Sequence, residues 1–264
     1  MRTLPLLLKR MSGNKIGVGL RKKYNNDSMP RYNRFIAPTK KGRNKKPQTM
    51  SVIIPAAGVG YRMKSYGPKC LLRVNEHETI IEKIIHNVNT VFSKDEIIVC
   101  VGFEADKIIS KIPDYVRIIE NQLYKETNTI ESLRLAVNNS VSDSVLIIHG
   151  DLVFNPKTIQ AINRNESSVI TDSSGRFKDD EIGVTIVDGV VTTFAYGLST
   201  KWAQIVYLTG EELYMFKKEC SDRNKNKMYT FEILNNIVKN NGTLKAVEPQ
   251  EMEIYEVDAI KDLQ

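Results

Sequence analysis

The chain has 264 residues, of which 41% are hydrophobic and 26% charged, enough for an α/β domain of about 200 residues with something added. Its formal charge of +7 is unevenly placed: residues 1 to 50 hold 14 Lys and Arg and one acid, Asp27, a net of +13, and the other 214 residues, with 24 bases and 30 acids, sit at −6. Cys70, Cys100 and Cys220 are widely spaced with no CxxC pair, which excludes a disulfide framework or zinc ribbon, and Leu4–Leu8 is too short for a secretory core or a membrane span, so the chain reads as soluble and cytoplasmic.

In chain order, residues 1–49 come first as a basic extension and residues 50–264 follow as the folded domain, because Met50 stands directly before the first strand. The extension reads as a disordered, solvated tail or as upstream sequence that is not translated. Alternatively, KKGRNKK, with Tyr24, Tyr32 and Phe35 nearby, lies along nucleic-acid phosphates with rings available for stacking.

Val52–Pro55 is a short apolar strand, and Ala56, Ala57, Gly58 and Gly60 behind it carry little side-chain bulk. Backbone N–H groups there can approach an anion closely. Arg62 and Lys69 follow, a planar fork suited to phosphate oxygens and a mobile point charge. No Gly-Lys-Ser/Thr closes the loop as in a Walker A motif, and no GxGxxG is present. The bland alternative is a glycine turn beside two solvated cations.

Ile80, Ile81, Ile84, Ile85 and Val88 repeat at helical spacing after Thr79, which predicts an amphipathic helix. A strand over Glu96–Val101, a helix over Ala105–Ile112, a strand over Val116–Ile119, a helix over Ile130–Val137 and a strand over Val145–Ile148 follow. This alternation implies parallel pairing through right-handed crossovers. Shorter strands come next at Ser168–Thr171, Ile182–Val187, Val190–Tyr196 and Ile205–Thr209, with a hairpin signal at Asp188-Gly189. Helices over Glu211–Cys220 and Phe231–Asn240 and a strand over Glu253–Val257 complete the domain.

Ligands in such sheets bind beyond the carboxyl ends of the strands. Asp151, after the strand in LIIHGDLVF, and Asp258, after the strand in IYEVDAIKDL, are therefore candidate magnesium ligands, since Mg2+ takes oxygen donors and needs only one or two carboxylates. Asp151 as a turn residue and Asp258 as a helix cap are the competing readings. His149 reads as the end of a strand.

AAGVGYRM followed by GPKCLLRV resembles the signature of the nucleotidyltransferase superfamily, which includes the sugar-1-phosphate nucleotidyltransferases and the bacterial choline-phosphate cytidylyltransferases. The resemblance covers residues 51–264. It implies a Rossmann-like, glycosyltransferase-A-type α/β fold, with a mostly parallel central sheet and a smaller mixed-sheet half that receives the acceptor. It also implies Arg62 and Lys69 as catalytic cations, Ala56, Ala57, Gly58 and Gly60 as the phosphate-holding backbone, and Asp151 and Asp258 as the magnesium pair. By the same resemblance, Asn121, Asn128 and Ser132 in NQLYKETNTIESLRLA contact the nucleotide, with turn formation and helix capping as their alternatives. Lys201 and Glu232 contact the acceptor. Gln204 stands where related chains often have Gly.

The expected reaction is Mg2+-dependent transfer from an NTP, CTP favoured and UTP possible, to a phosphorylated acceptor, a sugar 1-phosphate or an alcohol phosphate, with release of pyrophosphate. No general base is required, because a phosphate monoester is already anionic. Two alternatives compete: a nucleic-acid-associated protein that works through its basic arm, and a glycosyltransferase of the same fold, which would need a D-x-D motif not found near a strand end.

Overall fold

The computed structural model describes residues 49–60, 67–93, 95–175 and 181–263. The basic extension through residue 48 and the candidate cation Arg62 lie outside the described residues.

The first strand, β1 (Met50–Pro55), is buried over Met50–Ile54. Helix α1 (Ile80–Val91) starts at a capping box, where Thr79 accepts the Glu82 N–H and Glu82 accepts the Thr79 N–H, satisfying two otherwise orphaned donors. Its Ile80, Ile81, Ile84, Ile85 and Val88 are buried, each contributing roughly 1.5–3 kcal/mol of transfer free energy. They pack on Val52 and Ile54, while Ile53, between those two, points to the opposite layer. The period-2 alternation of β1 thus feeds a core on each face of the sheet.

The chain continues through β2 (Glu96–Val101), α2 (Ala105–Ile109), β3 (Arg117–Glu120), α3 (Thr129–Asn139), β4 (Ser144–Ile148), β5 (Leu152–Phe154), α4 (Lys157–Gln160) and β6 (Ser168–Asp172). It ends through β7 (Ile182–Val187), β8 (Val190–Tyr196), β9 (Thr200–Thr209), α5 (Gly210–Ser221), α6 (Thr230–Lys239), β10 (Lys245–Val247) and β11 (Ile254–Glu256). Nine strands form one sheet in the order β3-β2-β1-β4-β9-β6-β10-β8-β7. β3, β2, β1 and β4 are parallel, and β4 then pairs antiparallel with β9, where the mixed half begins. β7 also pairs with β9, closing that half back on itself. The expected α/β architecture, parallel on one side and mixed on the other, is what the chain adopts.

β11 and β5 form a separate two-stranded ribbon. It returns the C-terminal segment to Asp151, whose carbonyl accepts the Val257 N–H at 3.0 Å. Neither β5 nor α4 is signalled by the sequence pattern, being three and four residues long. β9 begins at Thr200 rather than Ile205 because the chain bulges against β6, where Val169 faces Val206 but Thr171 faces Trp202. Gln204 sits inside that bulge at φ 56°, a left-handed conformation that glycine takes without strain.

Two glycines are dictated by close approach. A Cβ at Gly150 would lie 2.7 Å from the Pro55 carbonyl, and one at Gly102 would lie 2.8 Å from the Ala57 carbonyl. These contacts bring the ends of β1, β2 and β4 together. Among the described residues, no helix is long and apolar enough to cross a membrane.

Candidate active site

Two adjoining cavities open at the carboxyl ends of β1 and β4. One, of about 220 Å3, is lined by Ala56, Ala57, Gly58, Gly60, Asn121, Asn128 and Ser132, together with Lys69 and Asp151. Every described residue expected on the nucleotide side is therefore on one wall system. A Cβ added at Gly58 would meet nothing within 4 Å, so the backbone there faces open space.

The polar side chains of that wall are already engaged. Asn121 is buried and donates to Thr127 at 3.2 Å and to Ser132 at 3.1 Å, while its Oδ1 accepts the Leu123 N–H at 3.0 Å. Asn128 caps α3 through the Thr129 N–H and donates to the Lys227 carbonyl. These bonds order the loop between β3 and α3 and hold the cavity's shape.

The second cavity, about 370 Å3, shares Gly60, Lys69 and His149 with the first. Its other walls include Glu181, Tyr196, Trp202, Gln204, Tyr229, Phe231, Glu256 and Asp258. Lys201 and Glu232, both expected on the acceptor side, are not among the lining residues. Lys201 is buried behind the wall and pairs with Glu181 at 2.5 Å. Glu232 accepts the Tyr229 N–H at 2.7 Å and so closes the first turn of α6.

Lys69 stands where the cavities meet. Its Nζ lies 3.0 Å from Asp151 Oδ2, 3.2 Å from Asp258 Oδ1 and 3.9 Å from Glu256 Oε1. Burial on its own would lower the pKa of Lys69, but the charges of Asp151, Glu256 and Asp258 and the Asp151 hydrogen bond override it and hold the ammonium above its usual value. The Asp262 carboxylate accepts the N–H groups of Asp258 and Ala259, each at 2.8 Å. That turn sets Asp258 beside Lys69.

Glu256 is a member of this cluster that the sequence pattern does not single out. In Ile254–Glu256 it reads as an ordinary alternating strand residue, and only the pairing of β11 with β5 carries it to Lys69. Burial, then the neighbouring charges of Asp151 and Asp258, push its carboxyl up to about 7, against the opposing pull of Lys69 and Lys201. The Gln204 amide donates to it from the bulge. His149 is half-buried edge-on to Trp202, with ring centroids 5.7 Å apart, and shares a 3.2 Å hydrogen bond with Thr230. Burial depresses its pKa below the usual 6.5, although Asp151 and Gln204 act the other way.

Asp151 has one further property. Its Oδ1 is buried and has no hydrogen-bond partner among the described residues, a costly state for a carboxylate oxygen unless something else supplies positive charge. Among the described residues no three His, Cys, Asp or Glu side chains form a ready metal cage, and the Lys69 ammonium lies within 4 Å of all three acids. Cys70 lies next to this cluster, but burial lifts its thiol to about 12, too high for a nucleophile at neutral pH.

A half-parallel, half-mixed sheet with paired acids and a lysine at its strand ends, beside a small-residue loop, defines a nucleotidyltransferase. A family model described as the MobA-like NTP transferase domain matches residues 52–213, and the chain belongs to that family. Asp258 and Glu256 lie beyond the matched segment. No curated protein sequence matches the chain.

Among solved structures, the chain is similar to the CTP:phosphocholine cytidylyltransferase of Streptococcus pneumoniae (18% identity, TM-score 0.65, covering 81% of this chain and 96% of that one). It is also similar to the inositol-1-phosphate CTP transferase of T. maritima (16% identity, TM-score 0.68, 82% and 92% covered). A third is a putative glucose-1-phosphate thymidylyltransferase from Bacillus anthracis (20% identity, TM-score 0.67, 82% and 93% covered). At these identities the likeness is one of fold.

Proposed function

We propose that the chain joins an NTP, CTP in preference to UTP, to a phosphorylated small-molecule acceptor in a Mg2+-dependent reaction that releases pyrophosphate. The observation that carries this reading is the Lys69 ammonium held at 3.0 and 3.2 Å by Asp151 and Asp258 at the junction of two cavities. One cavity is walled by the small-residue loop and the other opens toward the mixed half of the sheet.

In this reading the triphosphate lies along Ala56–Gly60, and an oxygen of the acceptor's phosphate attacks the α-phosphorus. One P–O bond forms to the acceptor, the bond from the α-phosphorus to the bridging oxygen breaks, and that electron pair leaves on pyrophosphate. No proton has to be removed from the nucleophile, and none of the acids is assigned as a base. Lys69 neutralises charge on the phosphoryl group, with Arg62 as the second cation.

Asp151 and Asp258 fit a magnesium ion, because Asp151 has a buried oxygen without a partner and Mg2+ accepts one or two carboxylates with water completing its shell. Such an ion would supply charge neutralisation at the phosphates. Lys201 and Glu232 act in acceptor binding indirectly, by fixing Glu181 and the start of α6. The cytidylyltransferases and the thymidylyltransferase among the similar folds support a phosphorylated sugar or alcohol as acceptor. A pyrophosphate-release screen of the four NTPs against phosphorylated acceptors, with and without Mg2+, tests it: release that needs both CTP and an acceptor is expected, and release from no combination would overturn the reading.

A further inference from the structure

Gln204 occupies the bulge of β9 at φ 56°. Residues that carry a Cβ seldom enter that region, and those that do gather at functional sites. The Gln204 carbonyl accepts the His149 N–H at 3.4 Å, which pins the bulge to the end of β4. Its side-chain amide donates to Glu256 Oε2, and both residues line the acceptor-side cavity.

The contact matters because of the position that Glu256 would take without it. A lysine ammonium has three N–H donors. Two of those on Lys69 go to Asp151 Oδ2 at 3.0 Å and Asp258 Oδ1 at 3.2 Å, which leaves the third as the donor that a substrate phosphate can use. Glu256 Oε1 lies 3.9 Å from the same Nζ, outside hydrogen-bond distance, and a shift of roughly 1 Å would bring it into contact and take that donor. Gln204 holds the other oxygen of the carboxylate, so the amide and the ammonium pull on opposite sides of one group. Magnesium would sharpen the competition: with Asp151 and Asp258 on the metal, Glu256 is the acid of this cluster left to close on Lys69.

Resting on the transfer reading above, we propose that Gln204 is a positioning residue, which tethers Glu256 away from Lys69 and so keeps an ammonium donor open for the phosphate. The test is a double-mutant cycle on the full chain, read by calorimetric titration of CTP with Mg2+ and no acceptor. Gln204→Met keeps a side chain of similar length but has no N–H with which to hold Glu256. It is expected to weaken CTP binding about tenfold, the value of one charge-assisted hydrogen bond. In a Glu256→Ala background the same replacement is expected to change the affinity by less than about twofold, and Gln204→Leu to repeat the pattern.

A loss of equal size with and without Glu256 assigns Gln204 a role in shape or folding alone and overturns the tether, as does undiminished CTP binding by Gln204→Met. Pyrophosphate release, with phosphocholine as the acceptor, separates this claim from the one beneath it. Release whose dependence on Gln204 disappears with Glu256 supports both, and release indifferent to Gln204 overturns the tether. The expected binding pattern without release from any of the proteins overturns nucleotidyl transfer and leaves the tether standing.

Discussion

Lys69 holds together two acids that would otherwise repel, and the same acids are the proposed magnesium ligands. Lysine and metal therefore compete for Asp151 Oδ2 and Asp258 Oδ1. Lys69→Met is expected to lower kcat/KM for nucleotidyl transfer by about 10²–10³-fold, while Mn2+ binds the nucleotide-free variant more tightly than it binds the unaltered protein, as read by calorimetry. Weaker or unchanged Mn2+ binding would show that Lys69 is not the occupant that a metal displaces. Asp151 was legible as a strand-end acid because it follows the apolar run Val145–Ile148, and Asp258 because it follows a short strand pattern. Glu256 was not, since its place depends on β11 reaching β5 across about a hundred residues of chain. Nor were Tyr196, Tyr229 and Phe231, which come from a strand end and a helix start that only the closed mixed half brings together.

At the scale of single elements, β9 carries the bulge that turns Gln204 toward Glu256. Gln204→Gly and Gln204→Ala both lose the amide, but only Ala retains a side chain at φ 56°. The Gly variant is expected to be the more stable of the two by about 1 kcal/mol in urea unfolding, and equal midpoints would mean that the backbone is not strained there. The bulge also explains why the sequence pattern marks only Ile205–Thr209 as strand: Lys201 and Gln204 interrupt the apolar run with polar residues whose partners lie on other elements.

Glu131 of helix α3, which does not line either cavity, offers a pH-dependent case. Glu131 is buried and pairs with Arg134 through bonds of 2.7 and 2.8 Å. The Arg134 hydrogen bond is the leading cause that holds its carboxyl below the usual 4.5. A depressed carboxylate contributes stability that is present above its unfolded value and lost as the pH falls through the folded one. Glu131→Gln is therefore expected to cost roughly 3 kcal/mol at neutral pH, a gap that narrows below about pH 4.5 in denaturant titrations. A gap independent of pH would assign the loss to packing. In α1, Ile84→Ala should cost about 2–5 kcal/mol in thermal or urea unfolding, because Ile84 is fully buried and the surrounding sheet cannot collapse onto the void.

Across the whole molecule, the parallel half walls the proposed phosphate site and the mixed half the proposed acceptor cavity, and Lys69 lines both. The parallel half was readable because its strands are continuous apolar runs separated by helices with 3.6 periodicity, as in Ile80–Val88. The mixed half was less so, since its short strands and the β5–β11 ribbon owe their pairing to contacts distant in sequence. The most direct measurement follows the label from CTP labelled at the α-phosphate, with Mg2+ and phosphocholine, in the unaltered protein and in Asp151→Asn. The account predicts label transferred to the acceptor with one pyrophosphate released per transfer, and neither in the variant. Pyrophosphate released without label on the acceptor, or undiminished transfer by Asp151→Asn, would contradict it.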